Sequence, residues 1–209
     1  MKKIILPLLV ACLCLSCSND NTEQEHIKRT ILIYMAADNN LQKQAKKDIE
    51  EMIAVEIPNE YNLLAYIDIP NDKPCLLKIN KGKIDTVKQY EQQNSASKQA
   101  LKLVIDDAFS AFPAKNYGLI LWSHGTGWLP EGVYDYMKET NVRSFGKDNY
   151  EEMEITDLAE TIPENLDFII FDACLMSGIG IYIPFASDAL FSQYSWLDWY
   201  KDSELFCVQ

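Results

Sequence analysis

Four apolar segments of the chain each predict a buried β-strand. Their sequences are RTILIYMAA, YNLLAYID, YGLILW and LDFIIF, and they begin at residues 29, 61, 117 and 166. Short continuous apolar runs rich in β-branched and aromatic residues are typical of strands that are covered on both faces of a parallel sheet. Residues 74–90 predict a hairpin, with its turn at Asn80, Lys81 and Gly82.

Helical periodicity separates these strands. Apolar side chains recur every three or four positions in residues 38–57, where Asp38 is the expected N-cap, and in residues 97–112, which Pro113 ends. A shorter helix is predicted at 156–162, after a long polar segment. This order of strands and helices predicts an α/β fold, in which a mostly parallel sheet has helices on both faces as an α/β/α sandwich.

The beginning of the chain has the pattern of an export signal. Two lysines precede the apolar run IILPLLVACLCL, which is shorter than a typical membrane span. We interpret residues 1–16 as a bacterial lipoprotein signal peptide, with cleavage before Cys17 and lipid attached to the Cys17 thiol. Residues 17–29 are then a flexible tether, and residues 30–209 form one folded domain. The protein would be lipid-anchored at the periplasmic or surface face of the cell envelope; ordinary cleavage and free secretion are the alternative.

The chain is acidic, with a net charge of −12 that becomes −14 once the two lysines of residues 1–16 are removed. This charge disfavours nucleic acid as a partner, because binding to phosphates depends on clustered lysine and arginine. The cysteines outside the signal, Cys75, Cys174 and Cys207, match neither a disulfide framework nor a metal-ligand pattern. His26 belongs to the tether, so His124 is the one histidine of the predicted domain and no zinc site is expected. A monomer is the default expectation.

Reactive side chains follow two of the predicted strands. His124 comes just after YGLILW, and Cys174 comes just after LDFIIF. Groups at the carboxyl ends of neighbouring parallel strands meet at one edge of the sheet, which is where α/β proteins bind ligands. An imidazole beside a thiol promotes formation of the nucleophilic thiolate. The pair therefore predicts a cysteine nucleophile with its base, and the N–H of Gly125 is a candidate donor to an oxyanion.

Two other side chains in these segments have open roles. Ser123 competes with Cys174 as a candidate nucleophile, but the G-x-S-x-G motif that exposes a catalytic serine is missing around it. Asp172, two positions before Cys174, either caps the turn that follows or takes part in the site.

Five blocks of the sequence carry a resemblance to a known family. The blocks ILIYMAADNNL, NYGLILWSHGTGW, RSFGKD, MEITDLAETIP and LDFIIFDACLMSG resemble successive blocks of the clostripain family of cysteine peptidases, and they cover residues 30–178 almost continuously. The resemblance implies a caspase-like fold with His124 as general base and Cys174 as nucleophile. It also implies that Asp172 helps to select protein or peptide substrates with Arg or Lys before the scissile bond, since a carboxylate pairs well with a cationic side chain.

The resemblance has two further implications. Family members can be activated by cleavage after a basic residue between the His and Cys strands, and the candidates for self-cleavage here are Lys138, Arg143 and Lys147. Some members depend on calcium, for which oxygen ligands are offered by Asp148, Glu151, Glu152 and Glu154. A solvated acidic loop is the alternative interpretation of these four acids.

The chain departs from the family pattern after Gly178. Family members continue into a helix and a long carboxyl-terminal region, whereas residues 179–209 resemble the far end of such proteins, so the carboxyl-terminal part is reduced. Two functions follow. The first is an endopeptidase that cleaves after Arg or Lys through a Cys–His dyad and a thioester acyl-enzyme. The second is a shortened, catalytically impaired relative that acts at most as a cell-surface binding module.

Overall fold

The computed structural model describes residues 27–125, 144–149 and 151–173. The strands within these ranges are β1 (Arg29–Ala36), β2 (Tyr61–Asp68), β3 (Cys75–Asn80), β4 (Lys83–Gln89), β5 (Asn116–Trp122), β6 (Ser144–Asp148), β7 (Glu151–Glu154) and β8 (Leu166–Asp172). The helices are α1 (Gln42–Ala54), α2 (Lys98–Ala111) and α3 (Ile155–Thr161). The predicted signal peptide and residues 174–209 lie outside the described residues, so the domain boundaries stay predictions.

The central sheet has six strands in the order β4-β3-β2-β1-β5-β8. The four strands β2, β1, β5 and β8 are parallel neighbours, while β3 and β4 add an antiparallel hairpin at one edge. The hairpin turns at residues 80–82, where Gly82 has a φ of 69° that a residue with a side chain rarely adopts. The mostly parallel sheet predicted from the four apolar runs is confirmed.

The helices cover both faces of this sheet. On one face, Ala45 and Ile49 of α1 pack in a cluster with Trp122 of β5. On the other face, Leu101 of α2 and Leu158 of α3 belong to a second core with the buried side chains of β1, β2 and β5. The predicted α/β/α sandwich is therefore confirmed. In the part of the chain that the structure describes, no helix has the length and hydropathy needed to cross a membrane.

The start of α1 differs from the prediction that Asp38 is its N-cap. The helix begins at Gln42 after Leu41, and no side chain caps it. The Asn39 side chain instead accepts a hydrogen bond from the Leu41 N–H at 2.8 Å. Asp38 is buried, and it accepts a hydrogen bond from the side chain of Asn149 at 3.2 Å. A partner distant in sequence has thus replaced the local capping bond that the spacing predicted.

Residues 144–154 contain a hairpin that the hydrophobic pattern did not predict. Its strands are only five and four residues long, with the sequences SFGKD and EEME, and they pair in antiparallel register. Phe145 and Met153 are paired and buried in the core beneath α2 and α3. Each strand thus contributes one large apolar side chain to the core, and strands this short contain too few alternating positions to be recognised in a polar segment.

The parallel strands end level with one another. Met35 of β1 pairs with Ile67 of β2 and with Trp122 of β5, and Trp122 pairs in turn with Asp172 of β8. The segments that follow these positions therefore meet at the carboxyl edge of the sheet, where ligand sites of α/β proteins lie.

Gly118 of β5 is required by the ring of Phe168. The two residues pair across β5 and β8, and a Cβ at Gly118 would lie 2.2 Å from Cζ of Phe168. The guanidinium of Arg29 lies 5.4 Å from the centroid of the same ring and forms a 2.6 Å ion pair with Asp167. The aromatic ring thus occupies the space that a side chain at position 118 would need.

We expect Gly118→Ala to destabilise the fold by about 1–3 kcal/mol, the usual cost of overpacking, because the new methyl group displaces the Phe168 ring. Urea unfolding measures the loss. Phe168→Leu removes the ring atoms nearest to that methyl group, so the double variant should lose less stability than the sum of the two single variants. Strictly additive losses would contradict a direct contact between these positions.

Candidate active site

His124 follows β5 at the carboxyl edge of the sheet, and its backbone is held by two other strands. The preceding residue, Ser123, donates its N–H to the carbonyl of Asp172 at 3.4 Å, which continues the pairing between β5 and β8. The carbonyl of His124 accepts a hydrogen bond from the N–H of Gly146 in β6 at 2.9 Å. Gly146 has a φ of 77°, a left-handed conformation that favours glycine. The position of His124 is therefore set by β8 and β6 together.

The Ser123 hydroxyl has a structural role. It is buried, donates to the carbonyl of Ala36 at 2.5 Å and accepts from the N–H of Lys147 at 3.2 Å. These bonds use its proton and one of its lone pairs, so the hydroxyl is not presented to a substrate. The geometry disfavours Ser123 as a nucleophile.

Gly125 lies next to His124 and forms a single antiparallel bridge with Phe145 of β6. Its place beside the imidazole is compatible with the predicted role of its N–H at an oxyanion, which stays a prediction.

The imidazole of His124 contacts a residue that the sequence analysis did not identify. The Oδ1 atom of Asn40 lies 2.6 Å from Nε2 of His124. Asn40 belongs to the loop between β1 and α1, and 84 positions separate the two residues along the chain. The only local signal was a pair of polar amides directly after a buried strand, a pattern that also suits an ordinary turn.

The surroundings of His124 favour its neutral form. Burial of the ring lowers its pKa below the usual value, and the positive charge of Lys147 adds to the effect. Both act in the same direction, because each disfavours the charged imidazolium. The imidazole consequently stays unprotonated, and able to accept a proton, to a lower pH than a free histidine does.

Asp172 is the last residue of β8 and keeps contact with solvent. Partial burial raises the pKa of its carboxyl, and the negative charge of Asp48 in α1 raises it further. Asp48 accepts a hydrogen bond from the indole N–H of Trp122 at 2.9 Å, and Trp122 is the residue that pairs with Asp172. The carboxylates of Asp48 and Asp172 therefore flank Trp122 at the carboxyl edge of the sheet, on the face that α1 covers.

Several predicted site residues lie outside the described residues. These are the nucleophile Cys174, the lipidation site Cys17 and the cleavage candidates Lys138 and Arg143. The third cleavage candidate, Lys147, lies within β6. Its N–H bonds to the Ser123 hydroxyl, and its carbonyl accepts from the side-chain amide of Asn39 at 2.6 Å.

Three buried carboxylates lie at or just after the ends of β1, β2 and β6, and their negative charges interact. We call Asp38, Asp68 and Asp148 the acid cluster; their side chains are 9%, 0% and 5% exposed. Asp148 accepts hydrogen bonds from the N–H and hydroxyl of Ser95 at 2.6 and 3.1 Å, and the Asn149 amide donates to both Asp148 and Asp38. Asp68 differs from the other two, because neither of its carboxyl oxygens has a hydrogen-bond partner among the described residues.

Asp68 is therefore the member of the cluster whose surroundings most favour the protonated form. A buried carboxylate without partners is costly when it is charged. Burial, followed by the charges of Asp148 and Asp38, raises the Asp68 pKa to about 7. Burial and Asp148 also raise the pKa of Asp38.

The acids predicted as calcium ligands do not form a metal site. Asp148 is bonded to Ser95, Glu152 accepts from the Ser144 hydroxyl at 2.6 Å, and Glu151 accepts from the side chain of Asn94. Across residues 27–125, 144–149 and 151–173, no three His, Cys, Asp or Glu side chains are arranged to hold a metal ion. The described residues therefore do not fit calcium at this hairpin.

The fold and the edge define a class: α/β proteins whose site lies where a parallel sheet ends, with a histidine and a carboxylate on adjacent strands. Sequence comparison narrows the class to a family. The model of the clostripain family matches residues 33–187, and the chain belongs to that family. A curated relative, clostripain from Hathewaya histolytica, is 31% identical over 192 residues; the match covers 76% of this chain and 35% of the relative.

Two solved structures share both fold and sequence with this chain. A secreted C11 cysteine protease from Bacteroides thetaiotaomicron, in complex with an irreversible peptide inhibitor, is 36% identical with a TM-score of 0.64, and the match covers 78% of this chain and 47% of that one. An inactive zymogen C11 protease from Parabacteroides distasonis is 40% identical with a TM-score of 0.60, over 75% and 45% of the two chains. The chain spans less than half the length of each of these relatives.

The acid cluster predicts a pH-dependent stability. The Asp68 pKa is about 7 in the folded protein against a usual value of 3.8, so the folded state binds more protons between these values. This contribution to the free energy of unfolding is fully present below about pH 4 and is lost as the pH rises to about 7. We expect Asp68→Asn, a neutral side chain of the same shape, to remove this dependence and to be more stable than the wild type at pH 8.

Urea unfolding of both proteins from pH 4 to pH 8 measures the effect as the difference between their free energies of unfolding, so other titrating groups cancel. Glu164→Gln, which changes an exposed acid in the loop before β8, is the matched control and should follow the wild type. A constant difference between wild type and Asp68→Asn across this range would show that Asp68 is ionised in the folded protein.

Proposed function

We propose that this chain is a cysteine endopeptidase in which His124 is the general base and Cys174 is the nucleophile. The observation that carries the proposal is the register of β5 and β8. Trp122 pairs with Asp172, and His124 and Cys174 each follow two positions later. Since paired residues of parallel strands point to the same face, a continuing register brings the imidazole and the thiol together. Membership of the clostripain family supports the same assignment.

The reaction proceeds through an acyl-enzyme. His124 takes the proton of the Cys174 thiol, and the thiolate attacks the carbonyl carbon of the scissile peptide bond. The N–H of Gly125 donates to the oxyanion of the tetrahedral intermediate. The imidazolium then gives its proton to the leaving amine, and a thioester remains on Cys174. A water molecule, deprotonated by His124, hydrolyses this thioester, and the thiol is restored.

Asp172 is the proposed selector of Arg or Lys before the scissile bond. Its carboxylate and that of Asp48 flank the indole of Trp122, and their mutual repulsion contributes to the raised Asp172 pKa. A guanidinium or ammonium group bound between them relieves this repulsion and gains a charge-assisted hydrogen bond. Substrates with a cationic side chain at this position are therefore favoured over neutral ones.

The proposal includes export of the protein. A relative of similar fold is described as secreted, and the first residues of this chain have the pattern of a lipoprotein signal. We therefore propose a lipid anchor at Cys17 that holds the peptidase at the cell envelope, where its substrates are proteins or peptides.

The proposed nucleophile is tested by hydrolysis of short fluorogenic peptides. We expect the full chain to cleave peptides ending in Arg or Lys at least about 100-fold faster, in kcat/KM, than matched peptides ending in Leu, because a cationic side chain gains a charge-assisted hydrogen bond with Asp172 that leucine cannot form. Cys174→Ala should lower kcat/KM by about 10³-fold or more, since it removes the attacking atom.

The matched control is Cys75→Ala. Cys75 lies in β3 beside the antiparallel edge of the sheet, with its thiol near the carbonyl of Lys73. The Cys75→Ala variant should hydrolyse the peptides at the wild-type rate. Equal background rates from wild type and Cys174→Ala would reject the peptidase and leave the alternative of a binding module that keeps the fold without turnover.

Self-cleavage is expected between the two strands that carry the dyad. The backbone of Lys147 is bonded in β6, so we propose that the cut follows Lys138 or Arg143. Purified wild type should yield two fragments, the second beginning at Glu139 or Ser144, and Cys174→Ala should stay intact. The double variant Lys138→Ala/Arg143→Ala should also stay intact. A fragment beginning at Asp148 would show that pairing in β6 does not protect Lys147.

A further inference from the structure

We propose that Asn40 is the positioning residue for His124, because its side-chain amide determines which ring nitrogen carries the proton. The Oδ1 atom of Asn40 lies 2.6 Å from Nε2 of His124. An amide oxygen only accepts hydrogen bonds, so Nε2 donates and carries a hydrogen. In the neutral ring, Nδ1 is then the nitrogen with a free lone pair, and it is the atom that accepts a proton.

The loop that presents Asn40 is held by the residue before it. The side-chain amide of Asn39 donates to the carbonyls of Ala36 at 3.1 Å and Lys147 at 2.6 Å, and its oxygen accepts from the N–H of Leu41. Asn39 therefore joins the loop to β1, to β6 and to the start of α1. Asn40 itself is exposed, so its side chain is free of the core and its replacement leaves this network intact.

His124 is consequently fixed at two points. Its carbonyl is bonded to Gly146 of β6, and its ring is bonded to Asn40 in the loop after β1. The first bond sets the position of the backbone, and the second sets the rotation and the tautomer of the ring. The orientation of the ring affects the reaction rate as strongly as its distance from the other reacting group. Displacement of a reacting group by about 1 Å lowers the rate by about 100-fold.

The proposal rests on the proposed dyad and deepens it. In the peptidase, the proton of the Cys174 thiol passes to Nδ1 while the Nε2 proton stays on its bond to Asn40. The same bond supports the charged imidazolium, because the amide oxygen accepts from an N–H that becomes more acidic when the ring is protonated. It therefore opposes the effect of burial and of Lys147, both of which lower the His124 pKa.

Nitrogen-15 NMR of the imidazole tests the tautomer without any need for activity. The sample is the full chain with Cys174→Ala and His26→Gln, which leaves His124 as its one histidine. We expect the neutral ring to carry its proton on Nε2. Asn40→Ala should give a mixture of tautomers and a lower pKa, and Asn40→Asp should restore the Nε2–H form with a pKa above that of the parent.

The matched control is Gln42→Ala. Gln42 begins α1 two positions after Asn40, and its amide donates to the carbonyl of Pro70 at 3.4 Å. It should leave the tautomer and the pKa unchanged. A proton on Nδ1 in the parent protein, or an Asn40→Ala spectrum and titration identical to those of the parent, would overturn the proposal.

A kinetic experiment uses variants that retain Cys174. Asn40→Ala should lower kcat by about 10- to 100-fold with KM little changed and with the acid limb of the pH–rate profile moved, and Asn40→Asp should recover part of the rate. An unchanged kcat in Asn40→Ala, together with a mixture of tautomers in its NMR spectrum, would also overturn the positioning role. If no chain hydrolyses peptides, the proposed function fails, while the NMR comparison still decides what Asn40 does to His124.

Discussion

The hydroxyl of Ser123 joins three strands at the point where the site begins. It lies in the segment after β5, donates to the end of β1 at Ala36 and accepts from β6 at Lys147. Leaving a buried hydroxyl unpaired costs free energy, so these bonds fix the position of β6 relative to the ends of β1 and β5. With β6 in that place, Gly146 reaches the carbonyl of His124 and the Lys147 carbonyl reaches Asn39. The Ser123 hydroxyl thus contributes to the position of both the backbone and the ring of His124.

The acid cluster attaches the same hairpin by a different means. Asp148 at the end of β6 is tied to Ser95, whose carbonyl accepts from the hydroxyl of Tyr34, so hydrogen bonds connect the hairpin to the middle of β1. Three carboxylates so close together repel one another unless one is neutral. Below about pH 7 a proton on Asp68 supplies that neutrality. Because these contacts are not covalent links along the chain, they hold β6 in place whether or not the segment before it is cut.

The sequence predicted the parts of the fold that depend on local pattern. Continuous apolar runs located β1, β2, β5 and β8, and their parallel order followed from the alternation with helices. It could not predict interactions between distant positions. Asp38 has the spacing of an N-cap, yet its partner Asn149 lies 111 positions away, and Asn40 meets His124 across 84 positions. The hairpin β6–β7 was not predicted because each strand has a single large apolar side chain among small, polar or charged residues.

Chemistry and substrate binding place different demands on this chain. In the proposed mechanism, proton transfer between His124 and Cys174 depends on a few ångströms of geometry. The contacts that position His124 come from β8, from β6 and from Asn40, and all of them lie within the region that matches the family. Binding of remote parts of a substrate depends on surfaces far from the reacting atoms, and such binding energy also raises the rate of the chemical step. The relatives are more than twice as long as the part that matches here. Because remote contacts act on kcat as well as on KM, both the edge of the sheet and the surrounding surfaces contribute to the rate of the chemical step.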